Sequence, residues 1–162
     1  MADNEEPAPR GRTVRSPLPH SLTDSTGFLL SWVAANASER FAEALAEVGL
    51  TAHQLGVLTV LKDGPMVQAR LSEQLAVFQP VMVTLVNELE SAGFVRRASH
   101  PGDRRAIDVH LEPAGAERLA RAGAAMAGAT EKIFGGLPDA DRENLHRILL
   151  HMVQTLDTPP EN

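Results

Sequence analysis

Cysteine is absent from all 162 residues. That excludes disulfide bonds, thiolate metal sites and a cysteine redox switch. It is compatible with a reducing compartment without requiring one. No apolar run approaches the roughly 20 residues that span a bilayer as a helix. The acidic, proline-rich start, MADNEEPAPR, lacks the apolar stretch of a secretory signal. A cytoplasmic protein with no membrane partner is the expectation. Metal and catalytic signatures are missing as well. The six histidines include no His-x-x-x-His pair, and His146 and His151, five apart, share a helix face poorly. Neither a nucleophile elbow nor a phosphate loop occurs. No metal, no cofactor and no enzymatic activity are therefore expected.

Apolar residues make up 43% of the chain, so a core can form without staples, and the length suits one domain. The net charge of −6 argues mildly against nucleic acid as a partner. Its distribution argues the other way. Between Met66 and Arg105 there are five basic residues (Arg70, Arg96, Arg97, Arg104, Arg105) and four acidic ones (Glu73, Glu88, Glu90, Asp103), a local balance of +1 that leaves −7 for the remainder. The arginines concentrate near Phe94–Leu111, although the footprint is weak for a nucleic-acid binder.

Residues 1–22 contain Pro7, Pro9, Pro17 and Pro19 with little apolar content, which predicts a flexible arm. Arg10, Arg12 and Arg15 on it could brush phosphate, but a solvated leader is the favoured reading. A helix over about 24–48 follows, with Leu29, Trp32, Val33, Ala37, Phe41, Leu45 and Val48 at helical spacing and Gly49 as its stop. Thr51 and Gln54 form a capping box for the next helix, with Leu50 and Leu55 as a hydrophobic staple; Asp63-Gly64-Pro65 ends it. A short helix over 67–76 carries Val67, Leu71 and Leu75 on one face. Another starts at Pro80, turns Met82, Leu85, Val86 and Leu89 inward, and stops at Gly93. Two short helices with a tight joint are the helix-turn-helix pattern.

Behind that pair stands FVRRASHPGDRRAIDVHL, residues 94–111. Strands are expected over 94–98 and 106–111, since Ile107, Val109 and Leu111 alternate with Asp108 and His110. They flank a Pro-Gly turn that carries Arg104 and Arg105. A basic hairpin behind a helix pair is the layout of a winged helix-turn-helix, in which the hairpin tip can enter a minor groove while the preceding helix lies in the major groove. Gln79, Pro80, Val83, Thr84 and Asn87 fall on the outward side of the second short helix. Gln79 and Asn87 can pair with adenine, Val83 can touch a thymine methyl, and Thr84 can reach a base edge or phosphate. Arg70, Arg96 and Arg97 are phosphate candidates.

Two long helices complete the pattern. The first follows Pro113, with Leu119, Gly123, Met126, Thr130 and Ile133 as its stripe. The second covers about 138–156, with Leu145, Ile148, Leu149, Met152 and Leu156 as its stripe. Together with the helix over 24–48 they carry more apolar surface than the reading head needs, which predicts a dimer interface. The expected fold is mainly α with a small β-hairpin: a winged helix-turn-helix with long helices forming a dimerisation bundle.

The chain resembles the MarR family of bacterial transcriptional regulators over about 28–156. LTAHQLGVLTVL (50–61), LSEQLAV (71–77), LVNELESAGFVRR (85–97) and PGDRRAIDVHLEPAG (101–115) carry the resemblance. It implies a single MarR-like domain over 23–162. The winged helix-turn-helix would occupy about 50–112 and the dimerisation helices about 24–48 and 113–156. It further implies a homodimer on double-stranded DNA, released by a small aromatic or phenolic anion. In the family's Asp-x-Arg wing tip the counterpart of Arg105 enters the minor groove, where narrow A·T-rich DNA attracts a guanidinium. Asp103 would hold the tip and Arg104 would meet phosphate. The resemblance also suggests an effector pocket walled by Trp32, Asn36, Arg40 and His53, against the plainer reading of Trp32 as core or interface. Four positions depart from the family. Val83 and Thr84 replace its usual Ser or Thr followed by Arg. Glu88 replaces a common basic residue, and Glu112 a usual Thr. From Gln79 to Val95 there is no Lys or Arg.

The expected function is a ligand-responsive repressor that binds a pseudo-palindromic operator as a homodimer. The alternative is a sensor or interaction protein that kept the fold and lost DNA binding, which the neutral recognition helix favours.

Overall fold

The computed structural model describes residues 19–156, the side chains of Arg104 and Arg105 excepted. The chain forms two compact units that divide within a helix, between Asn36 and Ala37.

The first unit contains a short helix, α1 (His20–Thr23), and the start of α2 (Thr26–Glu47). Helix α1 lies at the end of the segment expected to be an arm. It forms because the Pro19 carbonyl accepts the backbone N–H groups of Leu22 and Thr23, while the Thr23 hydroxyl donates to the His20 carbonyl. Arg10, Arg12 and Arg15 lie outside the described residues.

The second unit begins with the rest of α2, whose Leu45 is buried. Gly49, at φ +68°, adopts the left-handed conformation that ends the helix, and the Leu50 N–H folds back to the Leu45 carbonyl. The expected capping box opens α3 (Ala52–Leu61): the Thr51 hydroxyl accepts the Gln54 N–H, and the Gln54 side chain accepts the Thr51 N–H. Next comes β1 (Met66–Val67), then α4 (Gln68–Gln74) and α5 (Gln79–Ser91). Gly93, at φ +73°, closes α5, and the Phe94 N–H reaches back to the Leu89 carbonyl.

Strands β2 (Val95–His100) and β3 (Asp103–Leu111) form the expected antiparallel ribbon, and both run further toward the tip than predicted. The ribbon is part of a three-stranded sheet of order β1-β3-β2, with Met66 opposite Val109 and Val67 opposite Asp108. Val67, expected to begin a helix, is therefore a strand residue. Its long-range pairing outweighs its place in the helical pattern.

Helices α6 (Pro113–Phe134) and α7 (Asp139–Leu156) end the described chain. The core gathers Leu45, Leu58, Leu71, Met82, Leu89 and Val109 among others. The inward row of α6 is Gly115, Ala122 and Ala129, with Leu119 and Met126 half-buried; Gly123 and Thr130, expected on that row, are exposed. At Gly115 α6 lies too close to the wing root for a side chain. A Cβ on Gly115 would collide with the Phe94 carbonyl oxygen. On α7, Leu145 is half-buried, whereas Ile148, Leu149, Met152 and Leu156 are exposed in the single chain. Among the described residues no single helix is long and apolar enough to cross a membrane.

Candidate nucleic-acid interface

Helix α5 is fixed by its inner face. Met82, Leu85, Val86 and Leu89 are buried, as their spacing predicted. At 100° per residue this leaves the opposite side to Gln79, Pro80, Val83, Thr84 and Asn87, and all five are exposed. The Thr84 hydroxyl donates to the Pro80 carbonyl at 3.3 Å, which leaves its lone pairs facing outward as acceptors.

The two carboxylates of α5 do not face that surface unpaired. Glu88 accepts a hydrogen bond from Gln54 Nε2 at 2.8 Å, so the capping-box glutamine also ties α3 to α5. Glu90 accepts the Arg97 backbone N–H at 2.9 Å and the Arg97 guanidinium at 2.6 Å. The backbone donor, then the guanidinium, hold the Glu90 carboxyl below the usual carboxylate range. Arg97 also reaches Gln68 Oε1 at 3.2 Å and the Val83 carbonyl at 3.5 Å. It thus joins α4, α5 and β2. Arg96 remains largely exposed, but it pairs with Glu112 at 2.8 Å and lies 3.4 Å from His110 Nδ1. Arg70 is exposed on α4.

The wing has a register break. Ser99 faces Ile107, but His100 faces Asp103, so Arg104, Arg105 and Ala106 have no counterpart on β2. Such a bulge re-aims the strand that carries it. His100 Nδ1 sits 2.9 Å from Asp108 Oδ2, which fastens the outer part of the ribbon to a nearly buried carboxylate. Asp103 is exposed at the tip. The backbones of Arg104 and Arg105 lie in β3, and the contacts expected of their side chains fall outside the described ones. At the wing root, the Arg118 guanidinium stacks over the Phe94 ring at 4.9 Å and donates to the Val48 carbonyl.

The expected effector residues are distributed. In the first unit Asn36 Nδ2 donates to the Trp32 carbonyl at 2.7 Å, and both residues are half-buried. In the second unit Arg40 borders a small cavity with Ala44, Ala125 and Ala129, whose lining also includes Glu43, Glu47 and Lys132. His53, exposed on α3, does not line it.

Two exposed residues escaped the sequence reading. Phe78, the residue before α5, is 76% exposed, and Val81 on its first turn is 47% exposed. The signal available for them was position: Phe78 occupies an N-cap, where a side-chain oxygen is the ordinary choice.

Comparison with known proteins agrees with this geometry. The MarR_2 model of the MarR family matches residues 48–106. A putative transcriptional regulatory protein for the hcr operon of Thauera aromatica is 29% identical over 159 residues, which cover 94% of this chain and 96% of that protein. Among solved structures, the transcriptional repressor CouR bound to a 23-mer DNA duplex superposes with a TM-score of 0.72 at 29% identity, covering 88% of this chain and all of that one (100%). CouR from Rhodococcus jostii RHA1 bound to p-coumaroyl-CoA gives 0.69 at 27%, with the same coverage, 88% and 100%. The matched segment runs from the end of α2 through the helix pair to the wing tip, and the similarity of these relatives extends over the long helices on either side. Over this span the chain is similar to the MarR family of transcriptional regulators.

Proposed function

We propose that this protein is a sequence-specific DNA-binding transcriptional regulator, a repressor, that binds a near-palindromic operator as a homodimer and leaves it when a small aromatic or phenolic anion binds. One observation carries the reading. The exposed face of α5 stands beside a projecting antiparallel ribbon, and Arg97 clamps the two together through Glu90 and the Val83 carbonyl. Helix and ribbon in fixed relation are what adjacent grooves of one duplex require. The DNA-bound CouR structure supports this at 29% identity. The p-coumaroyl-CoA complex of the same repressor supports the effector class. An effector of this kind acts by preferring a head spacing that misfits the operator.

In this reading Gln79, Pro80, Val83, Thr84 and Asn87 face bases, Arg105 enters the minor groove with Asp103 steadying the tip, and Arg70, Arg96 and Arg104 serve phosphate. The exposed apolar stripe of α7 is the homodimer surface. The protein works in the cytoplasm, where its operator lies, and regulates without turnover of its own, as its relatives are regulators.

The test is a mobility shift of the full chain on its own upstream DNA. Arg105→Ala should weaken binding by roughly 1–3 kcal/mol if the guanidinium makes a direct base contact. Unchanged affinity would remove the wing from the interface. The alternative, an interaction protein without DNA binding, is favoured by the neutral face of α5. It predicts no salt-dependent duplex binding at all, whereas a regulator loses affinity steeply as salt rises.

A further inference from the structure

The first turn of α5 is apolar where it is most exposed. Phe78 caps the helix without a side-chain hydrogen bond and is 76% exposed; Val81 is 47% and Val83 42% exposed. On a helical wheel Val81 and Val83 lie on opposite edges of the outward face, with Pro80 and Thr84 between them. Folding does not explain this choice. An N-cap Ser, Thr, Asp or Asn would satisfy a free N–H, and an exposed phenyl ring gains nothing from the core.

The polar surroundings narrow the partner. No Lys or Arg occurs from Gln79 to Val95. The α5 carboxylates are engaged by Gln54 and Arg97. The helix therefore presents methyl groups and a phenyl ring, with the Gln79 and Asn87 amides and the Thr84 hydroxyl as its hydrogen-bonding groups. On base edges in the major groove the apolar group is the thymine C5-methyl.

We propose that α5 selects its operator through thymine methyl groups, contacted by Phe78, Val81 and Val83. The inference rests on the DNA-binding reading above and specifies its chemistry. It accounts for how a recognition helix without a cation discriminates sequence: apolar contacts select thymine while the wing supplies electrostatic attraction.

The experiment uses the full chain. Duplexes are selected from a random library, and the preferred one is resynthesised with deoxyuridine in place of thymidine, one position at a time. This removes the methyl and keeps the pairing. Fluorescence anisotropy then gives Kd for each duplex. At one or more positions in each half-site, uracil should weaken binding by about fourfold, the change expected for one buried methyl. Phe78→Ser, Val81→Thr and Val83→Thr alter exposed side chains, and thermal melts confirm that each variant folds. At least one should bind the thymine duplex more weakly and lose its sensitivity to uracil. If every uracil duplex binds like its thymine parent, or the uracil penalty persists in all three variants, the inference fails while the DNA-binding reading stands. The patch then belongs to another partner, such as a protein. If no duplex is enriched, both fail together.

Discussion

Arg97 grips Glu90 at both carboxylate oxygens: its backbone N–H donates to Oε1 at 2.9 Å, and its guanidinium to Oε2 at 2.6 Å. One end of this clasp is on β2 and the other on the last turns of α5, so it sets the angle between ribbon and helix. The partners are 23% and 39% exposed, and solvent screening keeps the ion pair itself within about 0.2–1 kcal/mol. Glu90→Gln should cost no more than that in a urea titration, because the amide oxygen still accepts a hydrogen bond. Glu90→Ala removes both acceptors and should cost about 1–2 kcal/mol. Operator affinity should fall in the same order. A Glu90→Ala midpoint equal to that of the wild type would show that the clasp adds nothing.

The same carboxylate makes a pH prediction. Glu90 titrates lower in the folded protein than in the unfolded chain, because Arg97 stabilises its charged form. Between the two values the unfolded chain holds more protons, so stability rises with pH across that window. The contribution is complete above the unfolded value, about 4.3 for a glutamate. It disappears as pH falls through the folded value. The difference in thermal midpoint between wild type and Glu90→Gln should therefore shrink from pH 6 to pH 3. A difference that stays constant over that range would rule out the linkage.

These contacts mark the limit of what sequence shows. Period and punctuation were enough for the capping box at Thr51, the inward face of α5, the stop at Gly93 and the ribbon behind it. Strand β1 was not visible, because two residues cannot display an alternation and its partners Val109 and Asp108 lie some forty positions away. On α6 the expected Leu119, Met126 and Ile133 are half-buried, but Gly123 and Thr130 are exposed, and the adjacent Ala122 and Ala129 take the buried positions. The wing-root crowding that selects Gly115 exists only in three dimensions. Phe78 was passed over for a related reason. A phenylalanine between two helices suggests core, and only the fold shows it facing outward. The engagement of Glu88 and Arg97 follows from packing across elements and leaves no local signature.

Gly115 should not tolerate a methyl group. A Cβ there would overlap the backbone carbonyl of Phe94 and come within 2.9 Å of Leu111 Cδ1. The backbone atom cannot swing away as a side chain can, so either the start of α6 or the wing root must shift. Gly115→Ala should destabilise by about 1–3 kcal/mol despite alanine's better helix propensity. Gly123→Ala, on the same helix with open space around it, should be neutral or stabilising. Equal urea midpoints for the two variants would contradict this packing account.

Gln54 serves two elements, and paired variants can separate its roles. Thr51→Ala and Gln54→Ala each break the capping box of α3 and should cost about 1 kcal/mol. Only Gln54→Ala also releases the Glu88 carboxylate on α5. A freed negative charge on a helix facing phosphates repels them, so this variant should bind operator more weakly than Thr51→Ala at matched stability. The gap should narrow as salt rises. Identical affinities at low salt would mean that Glu88 lies too far from the duplex to matter.

Helix α7 exposes Leu150 at 49%, Val153 at 53% and Leu156 at 82%, beside Ile148, Leu149 and Met152. So many large apolar side chains on one helix fit a surface that a second copy covers. Sedimentation should give twice the 17.4 kDa chain mass. Leu149→Glu combined with Val153→Glu adds two like charges one turn apart on that surface, which their desolvation and mutual repulsion make costly to bury. The double variant should sediment as a single chain and keep its helical circular dichroism. Its operator affinity should drop by about a hundredfold or more, because the second head would no longer bind as a tethered partner. A wild-type protein that sediments as one chain, yet still protects two half-sites from nuclease, would assign the α7 surface to something other than pairing.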